Sequence, residues 1–169
     1  MKTGPVKLGR VSLRLVATRV LPALALLLAV GAGVSKYLDT SLQGEQRAAK
    51  ESVEAARQAT EAILSYRADT VDRDLNAARD RLTGTFLDSY TSLINETVIP
   101  GAREKKISTN AKVPAVASVS ATTNHAVVLA FVNQTVTIGT GSPTMTPSSV
   151  RVTLDKVDGR WLVSGFDPV

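Results

Sequence analysis

The sequence predicts an α+β domain behind an N-terminal apolar segment. Three observations carry this. Residues 40–100 are rich in helix formers, with apolar side chains three and four positions apart. Residues 106–166 turn to Val, Thr, Ser and Ala in alternation. An uncharged run of 16 residues lies between Arg19 and Lys36. Helices first and strands afterwards, joined by short turns, predict helices packed on one face of an antiparallel meander.

The apolar run alone spans roughly 24 Å as a helix, short of the ~30 Å hydrocarbon core of a bilayer. Leu15, Val16, Ala17 and Thr18 extend it on one side, Tyr37 and Leu38 on the other, and Arg19 and Lys36 can reach the interfaces. Pro22 sits near the helix start, where a missing N–H is tolerated. The expectation is a basic cytoplasmic tail over residues 1–10 and a single transmembrane helix over residues 11–38. The early charges are all basic, which places the N-terminus in the cytoplasm, the anchor in the cytoplasmic membrane and the rest outside. The rival is a cleaved signal peptide, for which the small residues Val30-Gly31-Ala32 offer a cleavage site.

The charge follows the same division. Of 20 Lys and Arg, six precede the first acidic residue, Asp39, so the chain from Tyr37 onward sets 14 against all 15 Asp and Glu. The net charge of +5 is therefore a property of the tail, and the remainder has no field to hold nucleic acid. The absence of cysteine removes disulfides and thiolate sites.

Residues 39–67 are expected to form a helical stem. Leu42, Ala49, Val53, Ala56, Thr60 and Ile63 fall on a heptad-like seam of mostly small side chains. Such a face either docks on a larger partner or covers the domain's own sheet, and both alternatives stand at this point. Residues 68–169 are expected to be the α+β extracytoplasmic domain, with the stem helix packing on it. Val71, Leu75, Ala78 and Leu82 predict a helix capped by Asp69 or Thr70 and ended by a left-handed Gly84. Thr85 and Asp88 have capping-box spacing, and Phe86, Tyr90, Leu93, Ile94 and Val98 carry a further helix to a stop at Pro100-Gly101.

Residues 106–120 predict a strand interrupted at Pro114, which belongs at an edge or a bulge. Residues 122–124 predict a turn, residues 125–137 the clearest strand, and residues 139–147 a loop. Residues 150–157 and 160–166 predict a hairpin around Asp158-Gly159.

Chemistry-bearing constellations are sparse, and no catalytic, metal or cofactor site is expected. His125 stands beside a turn without a second ligand. Asp69, Asp72 and Asp74 suit a helix start and lack the glycine and distal glutamate of a calcium loop. The stretch "GTGSPT" lacks the lysine of a phosphate loop. Trp161 is expected to fill the core against the helices. Tyr66, Tyr90 and Asp88 are the only loose analogues of cavity residues, and fold alone licenses no activity.

The stretch "ILSYRADTVDRDLNAARDRLTGTFLDSY", residues 63–90, resembles the helical signature of the Mce-associated membrane proteins of mycobacteria. "VVLAFVNQTVT", residues 127–137, and "VDGRWLVSGFDPV", residues 157–169, resemble its sheet. The resemblance covers residues 40–169 behind one membrane helix. It implies a curved sheet wrapped by helices, a cone like that of nuclear transport factor 2 and of the periplasmic domain of type IV secretion bridging proteins. It further implies a non-enzymatic accessory subunit of an Mce importer of fatty acids or sterols, with transporter permease or substrate-binding subunits as partners. The partner-binding residues expected on this view are Gly31, Ala32 and Gly33 in the membrane and Leu42, Ala49, Val53 and Ala56 on the stem, because small side chains permit close helix approach. The alternatives are an extracytoplasmic module that holds a lipid in the cone and, further off, a cone-fold enzyme.

Overall fold

The computed structural model describes the backbone of residues 21–169 and the side chains of residues 43–169. The basic tail lies outside the described residues, as do the side-chain surroundings of the expected membrane helix, including Gly31, Ala32 and Gly33, and of Leu42. Among the described residues, no helix is long and apolar enough to cross a membrane.

Residues 43–169 form one compact unit. Helix α1 (Leu21–Leu64) enters it with a sequence of strong helix formers. Its exposed face is laced by pairs four residues apart, Arg47 with Glu51 at 2.8 Å and Gln58 with Glu54 at 2.8 Å. The helix ends at Leu64, three residues before the expected end of the stem, because Tyr66 exchanges two backbone hydrogen bonds with Thr109. Helices α2 (Val71–Ala78), α3 (Gly84–Leu93) and α4 (Ile99–Lys105) follow, with a 3-10 turn at Arg79–Arg81 and a π turn at Ile94–Val98. Four strands complete the chain: β1 (Ile107–Ala121), β2 (His125–Ile138), β3 (Thr144–Val157) and β4 (Arg160–Pro168). They pair antiparallel in sequence order, as the meander required, and the sheet is curved.

Local chemistry departs from the sequence reading at four places. Gly84 is left-handed as expected (φ 60°), but it opens α3 instead of closing α2, which has already tightened into the 3-10 turn. The capping box at Thr85 is absent, since the helix begins one residue earlier and Thr83 precedes it without a side-chain cap. Pro100 does not stop the helical run. It occupies the first turn of α4, where no N–H is needed, and the preceding π turn shifts the hydrogen-bond register around it. The stop comes at Lys106, in the left-handed conformation with φ 52°. Lastly, the loop after β2 covers only residues 139–143, because β3 begins at Thr144 and includes Pro147 opposite Asn133. Proline is tolerated there because β4 pairs with β3 only from Val150 onward, leaving that side of the strand free.

The hairpin at Asp158-Gly159 has positive φ at both residues, 50° and 79°, the signature of a tight primed turn. Pro114 coincides with a register shift between Lys112 and Ala115 on an edge strand.

One face of the sheet carries Val128, Val132, Val152, Leu154 and Val163, all fully buried beneath helix residues Ala56, Thr60, Val71, Leu75 and Ile94. Each large apolar side chain buried this way contributes about 1.5–3 kcal/mol. Both sheet edges are partly closed by helix ends. Thr83 N–H donates to the Val163 carbonyl on β4 (2.9 Å), and the last turns of α1 close β1.

Candidate functional site

Four elements leave a cavity of about 370 Å³ between the end of α1, α2, α3 with its π turn, and the sheet. Its walls are mainly apolar: Leu75, Ile94, Val98 and Phe166 are among them. Phe86 projects from α3 and stacks on Phe166 of β4, ring centroids 6.1 Å apart and nearly parallel. Tyr90 lies one turn further along α3, 6.2 Å from the Phe86 ring. That volume falls in the range of about 300–1,000 Å³ typical of small-molecule sites. Leu93, 54 % exposed, and exposed Ser89 bring the cavity to the surface.

The polar groups of the cavity gather at the C-terminus of α1, where a helix leaves carbonyls without intrahelical partners. The Tyr90 hydroxyl reaches the Ile63 carbonyl at 3.5 Å, and the Gln134 amide reaches the Leu64 carbonyl at 3.5 Å. The Thr109 hydroxyl also donates to the Leu64 carbonyl. Burial pushes the Tyr90 hydroxyl well above its ordinary pKa, with Tyr66 adding to the shift. Burial raises Tyr66 as well. Both phenols are neutral hydrogen-bonding groups at physiological pH. None of the cavity's lining residues carries a charge.

Of the stem residues expected to meet a partner, Ala56 turns fully inward. The buried stripe of α1 is Ala48, Ser52, Ala56, Ala59, Thr60 and Ile63, displaced by one residue from the predicted seam in its first turns. Ala56 has no exposed surface and belongs to the core, so it is not open to a partner. Val53 packs partly against the core, and Ala49 is half-buried beside the stripe. The reason is steric: alanine and serine four residues apart let the helix axis approach the sheet closely.

At the other end of this contact, Glu51 collects three donors. Lys156 Nζ lies 2.9 Å from Oε2, Trp161 Nε1 donates to the same oxygen at 3.2 Å, and Arg47 Nε lies 2.8 Å from Oε1. The bond from Lys156, then those from Arg47 and Trp161, hold the Glu51 carboxyl at a pKa of about 2. Lys156 also sits 5.2 Å from the centroid of the Trp161 ring. Trp161 is thus half-buried against the rim of the core, bracing α1 with its polar edge, and does not fill the interior.

His125 is exposed, and its Nδ1 lies 2.7 Å from Asp155 Oδ1. Hydrogen bonds from Ser164 and then from His125 lower the Asp155 pKa. The carboxylate is the group that both partners meet, whereas a serine relay needs the imidazole bonded to the serine itself. The acidic cluster disperses onto arginines: Asp69 lies 3.4 Å from Arg67, Asp74 3.4 Å from Arg73, and Asp72 pairs with Arg103. Arg67, Asp69, Arg103 and Lys106 line a second, shallower polar depression. The glycine-containing loop is a hairpin connection, with Gly139 N–H donating to the Lys106 carbonyl at 2.9 Å. Asp88 is exposed and stands outside the cavity, whereas Tyr66 and Tyr90 line it. Gln134 escaped notice in the sequence, because a glutamine in the middle of a strand gives no signal of the face it takes.

No family model matches the chain. Among curated proteins, outer membrane protein Rv1973 of Mycobacterium tuberculosis (strain ATCC 25618 / H37Rv) is 55 % identical over 156 residues, covering 92 % of this chain and 98 % of that protein. Among solved structures, the periplasmic domain of DotI superposes with a TM-score of 0.60 at 16 % identity, covering 69 % of this chain and 91 % of that one. The VirB8 protein of Agrobacterium tumefaciens gives a TM-score of 0.56 at 14 % identity, covering 69 % and 88 %. At such identities the likeness is one of fold: helices on a curved antiparallel sheet, arranged as in periplasmic domains of type IV secretion proteins. The sequence identity goes further, and by it the chain belongs to the family of the mycobacterial outer membrane protein Rv1973.

Proposed function

We propose that the chain is a membrane-anchored, non-enzymatic accessory subunit whose extracytoplasmic domain binds and stabilises a larger envelope complex. The complex favoured by the resemblance of residues 63–90, 127–137 and 157–169 is an Mce-type lipid importer, with its permease or substrate-binding subunits as partners. One observation carries the accessory role. The last two turns of α1 and the two residues after it are bonded to β1 through Arg57, Glu61, Ser65 and Tyr66, so the stem below the apolar segment is built into the domain. A domain carried on the proposed anchor would be concentrated near a membrane complex, which strengthens weak contacts. The outer face of the sheet, where Phe131 is 46 % exposed, offers a contact surface beyond the stem. The His125–Asp155–Ser164 trio lacks the order of a catalytic relay, and this favours a non-enzymatic role.

The anchor is proposed as a single helix in the cytoplasmic membrane with the N-terminus inside. The relative's name points to an outer membrane, whose spanning proteins are closed barrels. The four-stranded open sheet here is not such a barrel, so an outer-membrane setting for this chain would require attachment by other means.

Mild-detergent purification of the tagged full-length protein from native membranes, with mass spectrometry of what accompanies it, tests the proposal. Stoichiometric recovery of Mce permease, ATPase or substrate-binding subunits is expected. Recovery of the protein without any of them sinks the importer role. A second reading, an extracytoplasmic lipid-binding module, is favoured by the apolar cavity.

A further inference from the structure

We propose that the cavity takes an uncharged amphiphile, a hydrocarbon body ended by a single hydroxyl or carbonyl group that seats against Tyr66, Tyr90 and Gln134. This rests on the lipid-binding reading and names the ligand class of that site. Size comes first. At roughly 30 Å³ for each heavy atom, the liquid-volume share of a water molecule, the cavity accepts about a dozen heavy atoms. That matches a medium alkyl chain or part of a fused-ring body, with the rest emerging between Ser89 and Leu93.

Polarity decides the end group. The polar groups on the wall include two phenols and one primary amide, all neutral, and two of them, Tyr90 and Gln134, converge on the last carbonyls of α1. At 3.5 Å, the bonds from Tyr90 and Gln134 to those carbonyls are at the outer limit for hydrogen bonding, so most of the donors' capacity is left for a ligand. A hydroxyl or carbonyl oxygen has two lone pairs and can accept from two of these three donors.

Charge is what the wall rejects. A carboxylate drawn into this cavity would lose its hydration and meet no cation among the lining residues. The arginines that follow Tyr66 along the fold, Arg67 and Arg103, are already paired with Asp69 and Asp72. A quaternary ammonium meets no carboxylate on the wall, and because the Phe86 and Phe166 rings are stacked on each other, only cation–π attraction to the remaining aromatic faces would offset its lost hydration.

The test uses the full-length protein in phospholipid nanodiscs and three decyl-chain probes with the same mid-chain diazirine: a primary alcohol, a carboxylate and a trimethylammonium. After irradiation at about pH 8, where the carboxylate is ionised, adducts are mapped by peptide mass spectrometry. The expected result is alcohol adducts on residues 63–98, exceeding those of either charged probe by about tenfold or more. Gln134→Leu should shrink that preference while leaving the adduct positions unchanged. Ser89→Trp, which places a ring at the mouth without entering the core, should abolish labelling. Val119→Trp, on an exposed part of β1 outside the cavity, should leave it intact, and far-ultraviolet circular dichroism confirms that each variant is folded. Equal labelling of the same residues by the carboxylate would overturn the ligand class while leaving a lipid site standing. Adducts confined to other residues, or none from any probe, would overturn the class and the lipid-binding reading together.

Discussion

The two halves of β1 lie in one strand and pair with one neighbour, yet they meet the rest of the molecule differently. Over residues 107–113, the groups facing away from β2 are bonded to the end of α1. Thr109 exchanges backbone bonds with Tyr66, Ala111 N–H donates to Ser65 Oγ (2.9 Å), and Val113 N–H donates to Glu61 Oε1 (3.2 Å) while its carbonyl accepts from Arg57. Every second residue is served, which is the period at which a strand turns its backbone groups to one side. Over residues 115–121, almost every side chain is exposed, and two register shifts break the ladder, one beside Pro114 and one at Val119. An exposed strand edge invites pairing with other chains. This edge is managed in two ways: side chains of a helix stand in for a missing strand in one half, and proline and bulges disrupt the template in the other.

The difference can be tested by substitution, measured as urea unfolding of the full-length protein in detergent and followed by the single Trp161. The largest effect is expected for a matched pair. Val113→Asp buries an unpaired carboxylate where 3 % of the residue is exposed, and should cost about 3–5 kcal/mol. Val119→Asp, at a position 65 % exposed, should change stability by no more than about 0.5 kcal/mol. Similar losses at both sites would remove the distinction between the halves. Next in size is Thr109→Val, which deletes the hydroxyl bonded to the Leu64 carbonyl and should cost about 1 kcal/mol.

The smallest effect concerns the other place where α1 is held. Glu51 has a pKa of about 2 in the folded protein, below the ordinary ~4.3 of an unfolded glutamate. The folded state is therefore favoured fully above about pH 4.3, and that advantage is lost as pH falls through about 2. Glu51→Gln should be less stable than the native protein at neutral pH, and the gap should close on acidification. A gap that is constant with pH would show that packing, and not charge, joins Glu51 to Lys156 and Trp161.

Much of the fold is legible in the sequence because its signals are local. Alternation over β2, the Asp158-Gly159 turn and the edge character of Pro114 each follow from the geometry of a few neighbouring residues. The departures arise where a local signal was outweighed. Pro100 is a helix breaker only when its N–H is needed, and a π turn removes that need. Pro147 reads as a loop residue until the pairing of β4 leaves its side of β3 free. The seam of α1 is displaced by one residue because Ala48 and Ala49 give no contrast and Val53 is more apolar than the Ser52 that is buried in its place, so only contact with the sheet decides between the two faces. The cavity was the least legible feature. Tyr66, Tyr90 and Gln134 come from three separate elements, and nothing in their spacing announces that they share a wall.

The ladder between α1 and β1 also has a mechanical consequence. From Arg57 through the helix end to Tyr66 the chain advances while its partners retreat from Val113 to Thr109, so the two run alongside each other in opposite directions. Tension along α1 would load these bonds side by side, in shear, and they would have to fail together. A pull across the strand would open them one after another. The joint is stiff to a load along the stem and yielding to one that peels it, so the domain would transmit axial force before it gave way.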